Sequence, residues 1–179
     1  VIVAVVYATS YISGSHINPA ITISYWATGR MYAGTAAYYI MSQMLGAVMA
    51  AYFLSLLFPD AVSTVFLGTC TLGEGVGSWK AASIECLATF LFVFTIFATA
   101  VDKRTSKLLA GVAIGLVYLF GVSISTTFSG GALNPARVFG PAVISGYFDF
   151  HYVWWLGPVS GAIAAGVLYG KFFKRQNEE

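Results

Sequence analysis

The chain has 179 residues, of which 58% are hydrophobic and 9% are charged, and its formal net charge is +2. Soluble domains carry about 25% charged residues, so the composition indicates a membrane protein. The small net charge gives no basic footprint for nucleic acid. Cys70 and Cys86 lack the spacing of a metal or redox site, and neither a metal nor a cofactor is predicted.

Apolar stretches between charged residues predict the helices in chain order. Residues 1–13 are apolar but too short for a span, so they are predicted to be the end of a helix. Crossing about 30 Å of hydrocarbon takes about 20 apolar residues. Four stretches satisfy this length and predict a multi-pass membrane protein: 32–57, 81–101, 108–127 and 152–170.

Basic residues in the short connections predict which side of the membrane each one faces. The loop 101–107 and the tail, with Lys171, Lys174 and Arg175, are predicted to be cytoplasmic. Segments 58–80 and 146–151 carry few basic residues and are predicted to face outside.

One motif occurs twice, as SGSHINPA over 13–20 and SGGALNPA over 129–136. Three predicted spans separate the two copies, so the copies lie on opposite sides of the membrane. An inverted repeat has this arrangement, and its functional site lies where the two halves meet near the midplane. The single domain 1–179 then divides into the end of a first half, 1–57, and a second half, 81–173.

Each motif predicts a short helix that begins at its Asn. Asn is a favoured N-cap and Pro a favoured first helical residue, which predicts half-helices over 18–29 and 134–146. Each is about 15 Å long, or half a membrane. Pro141 predicts an irregular turn in the second one. Two positive helix ends meeting at the midplane would repel cations, and the amides of Asn18 and Asn134 would donate hydrogen bonds to single-file water.

The motifs HINPA and ALNPAR, followed by FGPAV, resemble those of the aquaporin (major intrinsic protein) family. The resemblance covers essentially the whole chain, and the segments ATFLFVFTIFATAVD and WWLGP look most like the plant tonoplast branch. It implies an all-α membrane protein, with an aquaporin-like inverted repeat and two re-entrant half-helices. It also implies a homotetramer in the lipid bilayer and a passive water channel that excludes protons and ions. No enzyme is predicted, because the sequence shows no Ser/His/Asp set, no paired carboxylates and no metal-ligand spacing.

The resemblance assigns roles to individual residues. The pore motifs are Asn18, Pro19, Ala20, Asn134, Pro135 and Ala136. The selectivity filter contains Val122, Gly131 and Arg137. His16 lines the pore, with a hydrogen-bonded loop histidine and a pH gate as alternatives. Glu85 supports the second re-entrant loop, with snorkelling to the outer interface as its alternative.

The solute is left open. Trp154, Trp155, Ala142 and Val138 resemble the pattern of water channels, whereas Val122 and Gly131 make a wider filter that leaves room for ammonia or small neutral solutes. The alternatives are a glycerol or urea facilitator and a non-conducting structural subunit. Gln43 is interpreted as an interhelical hydrogen-bonding residue.

The repeat also predicts that the first transmembrane helix is missing. Glu85 precedes Asn134 by 49 residues, and the same offset from Asn18 falls before Val1. We therefore expect a helix equivalent to 81–101 upstream, in a separate chain or in a neighbouring subunit. Without it, the flank of the pore would expose Asn18 and Asn134 to lipid, which is costly.

Overall fold

The computed structural model describes residues 1–173, and this part of the chain contains helices and loops without a β-strand. The fold class predicted from the sequence, an all-α membrane protein, is confirmed. Lys174 and Arg175 of the predicted cytoplasmic tail lie outside the described residues. The helices are α1 (Ile2–Ser13), α2 (Pro19–Ala27), α3 (Ala33–Leu57), α4 (Ala61–Thr64), α5 (Ser78–Ile96), α6 (Ala110–Ser129), α7 (Pro135–Ser145) and α8 (Val153–Phe173).

Helices α3, α5, α6 and α8 are long and apolar enough to cross a membrane, and they match the four predicted spans within a few residues. A π-helical turn, Phe97–Val101, extends α5. We call the end of the bundle with residues 28–32 and 102–109 the inner end. The end with residues 58–77 and 146–152 is the outer end.

The two short helices α2 and α7 are the predicted half-helices, and one expectation about α7 is wrong. Pro141 lies inside α7 and does not interrupt it. Proline removes only the hydrogen bond to the carbonyl of Arg137, four residues earlier. The helix continues because Asn134 caps its start and Gly146, at φ 75°, ends it.

Glycines let the long helices of the second half approach closely. A Cβ atom at Gly161 would lie 2.1 Å from the carbonyl oxygen of Cys86, and one at Gly157 would lie 2.6 Å from that of Ala82. Helices α5 and α8 are therefore in backbone contact, as small residues four apart predict for membrane helices. Gly115 is similarly covered by Val3, with 2.3 Å to its side chain, where α1 crosses α6.

Each half-helix packs on the long helix of the other half. Ser24 of α2 donates a hydrogen bond to the carbonyl of Ala162 on α8, at 2.6 Å. Gly140 of α7 lies against α3, where a Cβ would be 2.3 Å from the carbonyl oxygen of Ala47. These crossed contacts hold the two halves together and place the N-termini of α2 and α7 at the centre of the bundle.

Candidate pore

Both half-helices begin at the Asn of their motif, for the local reason that the sequence predicts. The side-chain oxygen of Asn18 accepts a hydrogen bond from the amide of Ala20 at 2.9 Å. Asn134 accepts from the amides of Ala136 at 3.0 Å and Arg137 at 3.4 Å. Each oxygen satisfies backbone donors that a helix start leaves free.

The two Asn side chains also join the half-helices. Nδ2 of Asn18 donates to the carbonyl of Leu133 at 2.8 Å, and Nδ2 of Asn134 donates to the carbonyl of Ile17 at 3.0 Å. Each amide therefore donates to the residue just before the opposite Asn. A primary amide has two N–H donors, so each Asn retains one.

The residues before the two Asn share an unusual backbone. Ile17 has φ 42° and Leu133 has φ 53°, in the left-handed region that β-branched and bulky residues rarely adopt. Strain of this kind costs about 1–3 kcal/mol per residue and persists where the surroundings hold it. Here the opposite Asn holds each strained residue by its carbonyl.

Glu85 of α5 anchors the loop that leads to Asn134. Its carboxylate is fully buried and accepts hydrogen bonds from the Ser129 hydroxyl at 2.6 Å and from the amides of Ala132 at 2.9 Å and Leu133 at 2.8 Å. The alternative of snorkelling to the outer interface is wrong, because the loop amides bind the carboxylate inside the bundle.

The loop that leads to Asn18 is held by hydroxyl groups instead. Ser15 donates to the carbonyl of Val5 at 3.3 Å, and Thr9 donates to Ser15 at 3.0 Å. None of the hydrogen bonds that side chains make with this loop in residues 1–173 involves a carboxylate. The first loop is thus held by longer, neutral hydrogen bonds.

Thr22 connects the first half-helix to α3 and to His16. Its hydroxyl oxygen lies 3.2 Å from Nδ1 of His16 and accepts from Nε2 of Gln43 at 2.9 Å. Gln43 therefore makes the interhelical hydrogen bond that the sequence predicts. His16 is buried and packs against Tyr25, with ring centroids 4.3 Å apart.

The predicted filter residues lie toward the outer end from the two Asn. Val122 and Gly131 are in contact, since a Cβ at Gly131 would lie 3.1 Å from Cγ1 of Val122. Arg137 donates from Nη1 to the carbonyl of Gly68 at 2.7 Å. The loop between α4 and α5 thus positions Arg137, and Gly131, at φ 65°, has no side chain beside Val122.

The outer loop reaches Arg137 through a strained turn. Phe66 and Leu67 have φ 49° and φ 53°, and the next residue is Gly68. Thr69 then donates to the carbonyl of Val138 at 3.0 Å. Cys70 is buried beside them, and burial raises the pKa of its thiol to about 12. The loop is therefore packed on α7 and carries a protonated thiol at neutral pH.

Two cavities meet at the Asn pair. The inner one has about 70 Å³ and is lined by Asn18, Asn134 and His16 among apolar side chains. One water needs about 10–15 Å³ of such space, so the cavity has room for several. The other, of about 530 Å³, lies beside α3 and is lined by Gln43, Asn134 and Arg137. The described residues therefore leave this flank open.

Sequence reasoning missed several residues that shape this region. Thr22 stands one helical turn after Asn18, and that spacing was a readable signal. Ser129 and Gly68 lie far along the chain from their partners, and Tyr118 lines the inner cavity. No local sequence pattern marks Ser129, Gly68 or Tyr118 as part of this region.

The family model described as "Major intrinsic protein" matches residues 1–169. Curated relatives include the probable aquaporin TIP1-2 of Oryza sativa subsp. japonica, 38% identical over 90% of this chain and 64% of that protein. Aquaporin TIP2-1 of Arabidopsis thaliana is 37% identical over 93% of this chain and 66% of its own length. Aquaporin-4 of Bos taurus is 37% identical over 96% of this chain and 53% of its length. The chain thus spans less than two thirds of the rice and bovine proteins.

Solved structures also share the fold. The aquaglyceroporin from Plasmodium falciparum superposes with a TM-score of 0.84, covering 96% of this chain and 78% of that chain at 20% identity.

Within residues 1–173, no group of His, Cys, Asp and Glu could hold a metal ion.

Proposed function

The chain belongs to the major intrinsic protein family, and on that premise we propose that it forms a passive channel that conducts water in single file. It is a multi-pass integral membrane protein with four spanning helices. The observation that carries the proposal is a reciprocal pair of hydrogen bonds, in which Asn18 donates to the carbonyl of Leu133 and Asn134 donates to that of Ile17. They hold two half-helix N-termini together and leave one N–H donor on each amide.

These two donors suit a water molecule at the narrow centre of the pore. A water oxygen that accepts from both amides must turn its own hydrogens away from them. It then cannot pass a proton along the file through that point. The N-termini of α2 and α7 each carry about half a positive charge, which disfavours cations at the same place. Water passes while protons and ions are excluded.

Arg137 and His16 act on either side of the Asn pair. Arg137 presents its remaining guanidinium donors to the solute near Val122 and Gly131, since one donor is committed to Gly68. His16 lines the inner cavity below Asn18. Glu85 supports the second loop from behind and does not contact the solute.

A second candidate is conduction of small neutral solutes such as ammonia, urea or glycerol. Gly131 has no side chain and Val122 has an apolar one, so this part of the filter is wide and poor in hydrogen-bonding groups. The substitution Val122→His should lower the ratio of solute flux to water flux. An unchanged ratio would remove Val122 from the filter.

We further propose that the channel is a homotetramer with one pore per protomer and has no enzymatic activity. The remaining alternative is a non-conducting structural subunit of a membrane assembly. Both share the fold, so transport must separate them.

The test is osmotic water flux in proteoliposomes, followed by stopped-flow light scattering. The proposal expects a rate above that of protein-free vesicles of the same size. Equal rates would contradict it, provided that circular dichroism shows the reconstituted protein to be helical. Native mass spectrometry in detergent tests the tetramer.

A further inference from the structure

A cavity of about 360 Å³ lies at the inner end of the bundle, away from the pore. It is enclosed by the end of α2, the loop after α5 and the last turn of α8. Its lining includes Arg30, Lys103, Arg104, Asp102 and Tyr169. Three cationic side chains therefore face one carboxylate in a small space.

The carboxylate of Asp102, the one acidic group in the described lining, already has partners. Asp102 pairs with Arg104 through Nη2 at 2.5 Å and Nε at 3.0 Å, and it accepts from the hydroxyl of Tyr169 at 2.6 Å. The Arg104 hydrogen bonds, followed by that from Tyr169, hold the pKa of Asp102 well below its usual range. Within residues 1–173, Asp102 therefore leaves the charges of Arg30 and Lys103 without an ion-pair partner.

Arg30 is held in place without an anionic partner among the described residues. Its guanidinium lies over the ring of Phe97, 4.8 Å from the centroid, and is half-buried. Its hydrogen bond within residues 1–173 is a long one, 3.5 Å, to the carbonyl of Thr28. A guanidinium has five donors arranged to bind phosphate oxygens, and most of these remain free.

Exposed apolar side chains at the inner end suit the acyl chains of a lipid. Phe173 lines it and is 43% exposed, and Trp26 at the end of α2 is 50% exposed. These apolar groups stand where the inner leaflet begins, on the side that the basic loops predict to be cytoplasmic. That leaflet carries the anionic lipids of the membrane. A soluble anion would pair with Arg30 and Lys103 but would leave these apolar groups uncovered.

We propose that this cavity binds the phosphate headgroup of one anionic phospholipid. Arg30 and Lys103 contact the phosphate, and Arg104 stays with Asp102. Phe173 and Trp26 contact the upper part of the acyl chains. In the described residues the outer end offers no equivalent, since its lysine, Lys80, lies over the ring of Phe128, 5.5 Å from the centroid.

The test is lipid retention by the purified protein, measured by native mass spectrometry with phosphatidylglycerol or phosphatidylcholine added to the detergent. We expect one retained phosphatidylglycerol and no such retention of phosphatidylcholine. The double variant Arg30→Gln with Lys103→Gln should weaken retention about tenfold or more, as loss of charge-assisted hydrogen bonds does. Lys80→Gln is the matched control and should retain the lipid.

Lys103→Glu provides a variant that cannot disturb packing, because Lys103 is exposed. It should weaken retention by itself. Equal retention of the two lipids, or full retention in the double variant, would overturn the proposal. Displacement of the lipid by inorganic phosphate alone would assign the site to a free anion and overturn it too. The readout needs no water flux, so the proposal stands or fails separately from the channel function.

Discussion

Helices α3 and α8 hold equivalent places in the two halves, but the residues of 1–173 bury α8 far more than α3. Half of the spanning window of α8 is buried, against 6% of that of α3. A Cβ at Gly161 of α8 would lie 2.1 Å from the backbone of α5, whereas nothing lies within 4 Å of a Cβ at Gly46 of α3. Helix α5 packs along α8, and no helix of residues 1–173 packs along α3 in the same way.

The centre of the molecule shows the opposite pattern, because there the two halves match. Each Asn caps its own helix and donates to the carbonyl before the other Asn. The contacts at the centre are made by the two motifs themselves, whereas in residues 1–173 the face of α3 that carries Gly46 has no neighbour. A further apolar helix over α3 stays a prediction, and it would seal the cavity beside Arg137.

The largest expected difference in stability is between substitutions at Gly161 and at Gly46. Gly161→Leu places a side chain in the backbone of α5 and should cost at least about 3 kcal/mol, seen as a large fall in melting temperature in detergent. Gly46→Leu in this 179-residue chain should change stability by no more than about 0.5 kcal/mol. Equal losses would show that the face of α3 is covered after all.

The next effect concerns the two re-entrant loops, since within residues 1–173 a carboxylate binds the second loop and none binds the first. Glu85→Leu leaves the Ser129 hydroxyl and the amides of Ala132 and Leu133 without their acceptor, which should cost about 3–5 kcal/mol. Glu85→Gln keeps one oxygen and should cost less. Thermal unfolding and water flux measured together test this. If Glu85→Leu melted like the parent chain, the loop would not depend on Glu85.

A smaller effect is expected at Thr22, whose equivalent in the second half is Val138. Thr22→Val has nearly the same shape but leaves Gln43 and His16 without their shared partner, at a cost of about 1–2 kcal/mol. Water flux should fall moderately because His16 loses its orientation. The reverse change, Val138→Thr, serves as the control for the site. Unchanged melting and flux in Thr22→Val would refute the role of this contact.

The smallest effect is a pH dependence at the outer end. His151 packs among Phe139, Phe148 and Trp154, and burial lowers its pKa from 6.5. Below pH 6.5 the unfolded chain binds a proton that folded His151 does not, so stability should fall as pH falls from 6.5 toward the folded pKa. His151→Phe should flatten this part of the profile. The same slope in both proteins would exclude His151 as its source.

The sequence predicted what local chemistry determines. The four spans and the two Asn caps follow from apolar length and from the preference of Asn-Pro for helix starts, and both appear in the structure. The irregular turn predicted at Pro141 was wrong, because the rule for proline does not consider how firmly the two ends of α7 are capped.

The remaining features depend on contacts between distant segments. Gly68 meets Arg137 across 69 residues, and Ser129 meets Glu85 across 44. Gly46 and Gly161 look alike in the sequence, each with small residues four positions away, and only the packing of α5 distinguishes them. No pattern within one helix reveals which of its faces will be covered.

The central claim is that Asn18 and Asn134 together pass water and block protons. The most direct measurement follows water and proton flux in the same proteoliposomes, with light scattering for water and a trapped pH-sensitive dye for protons. The account predicts water flux well above that of empty vesicles, with proton flux equal to theirs. Proton flux that rises with water flux, or water flux no higher than in empty vesicles of the same size, would contradict it.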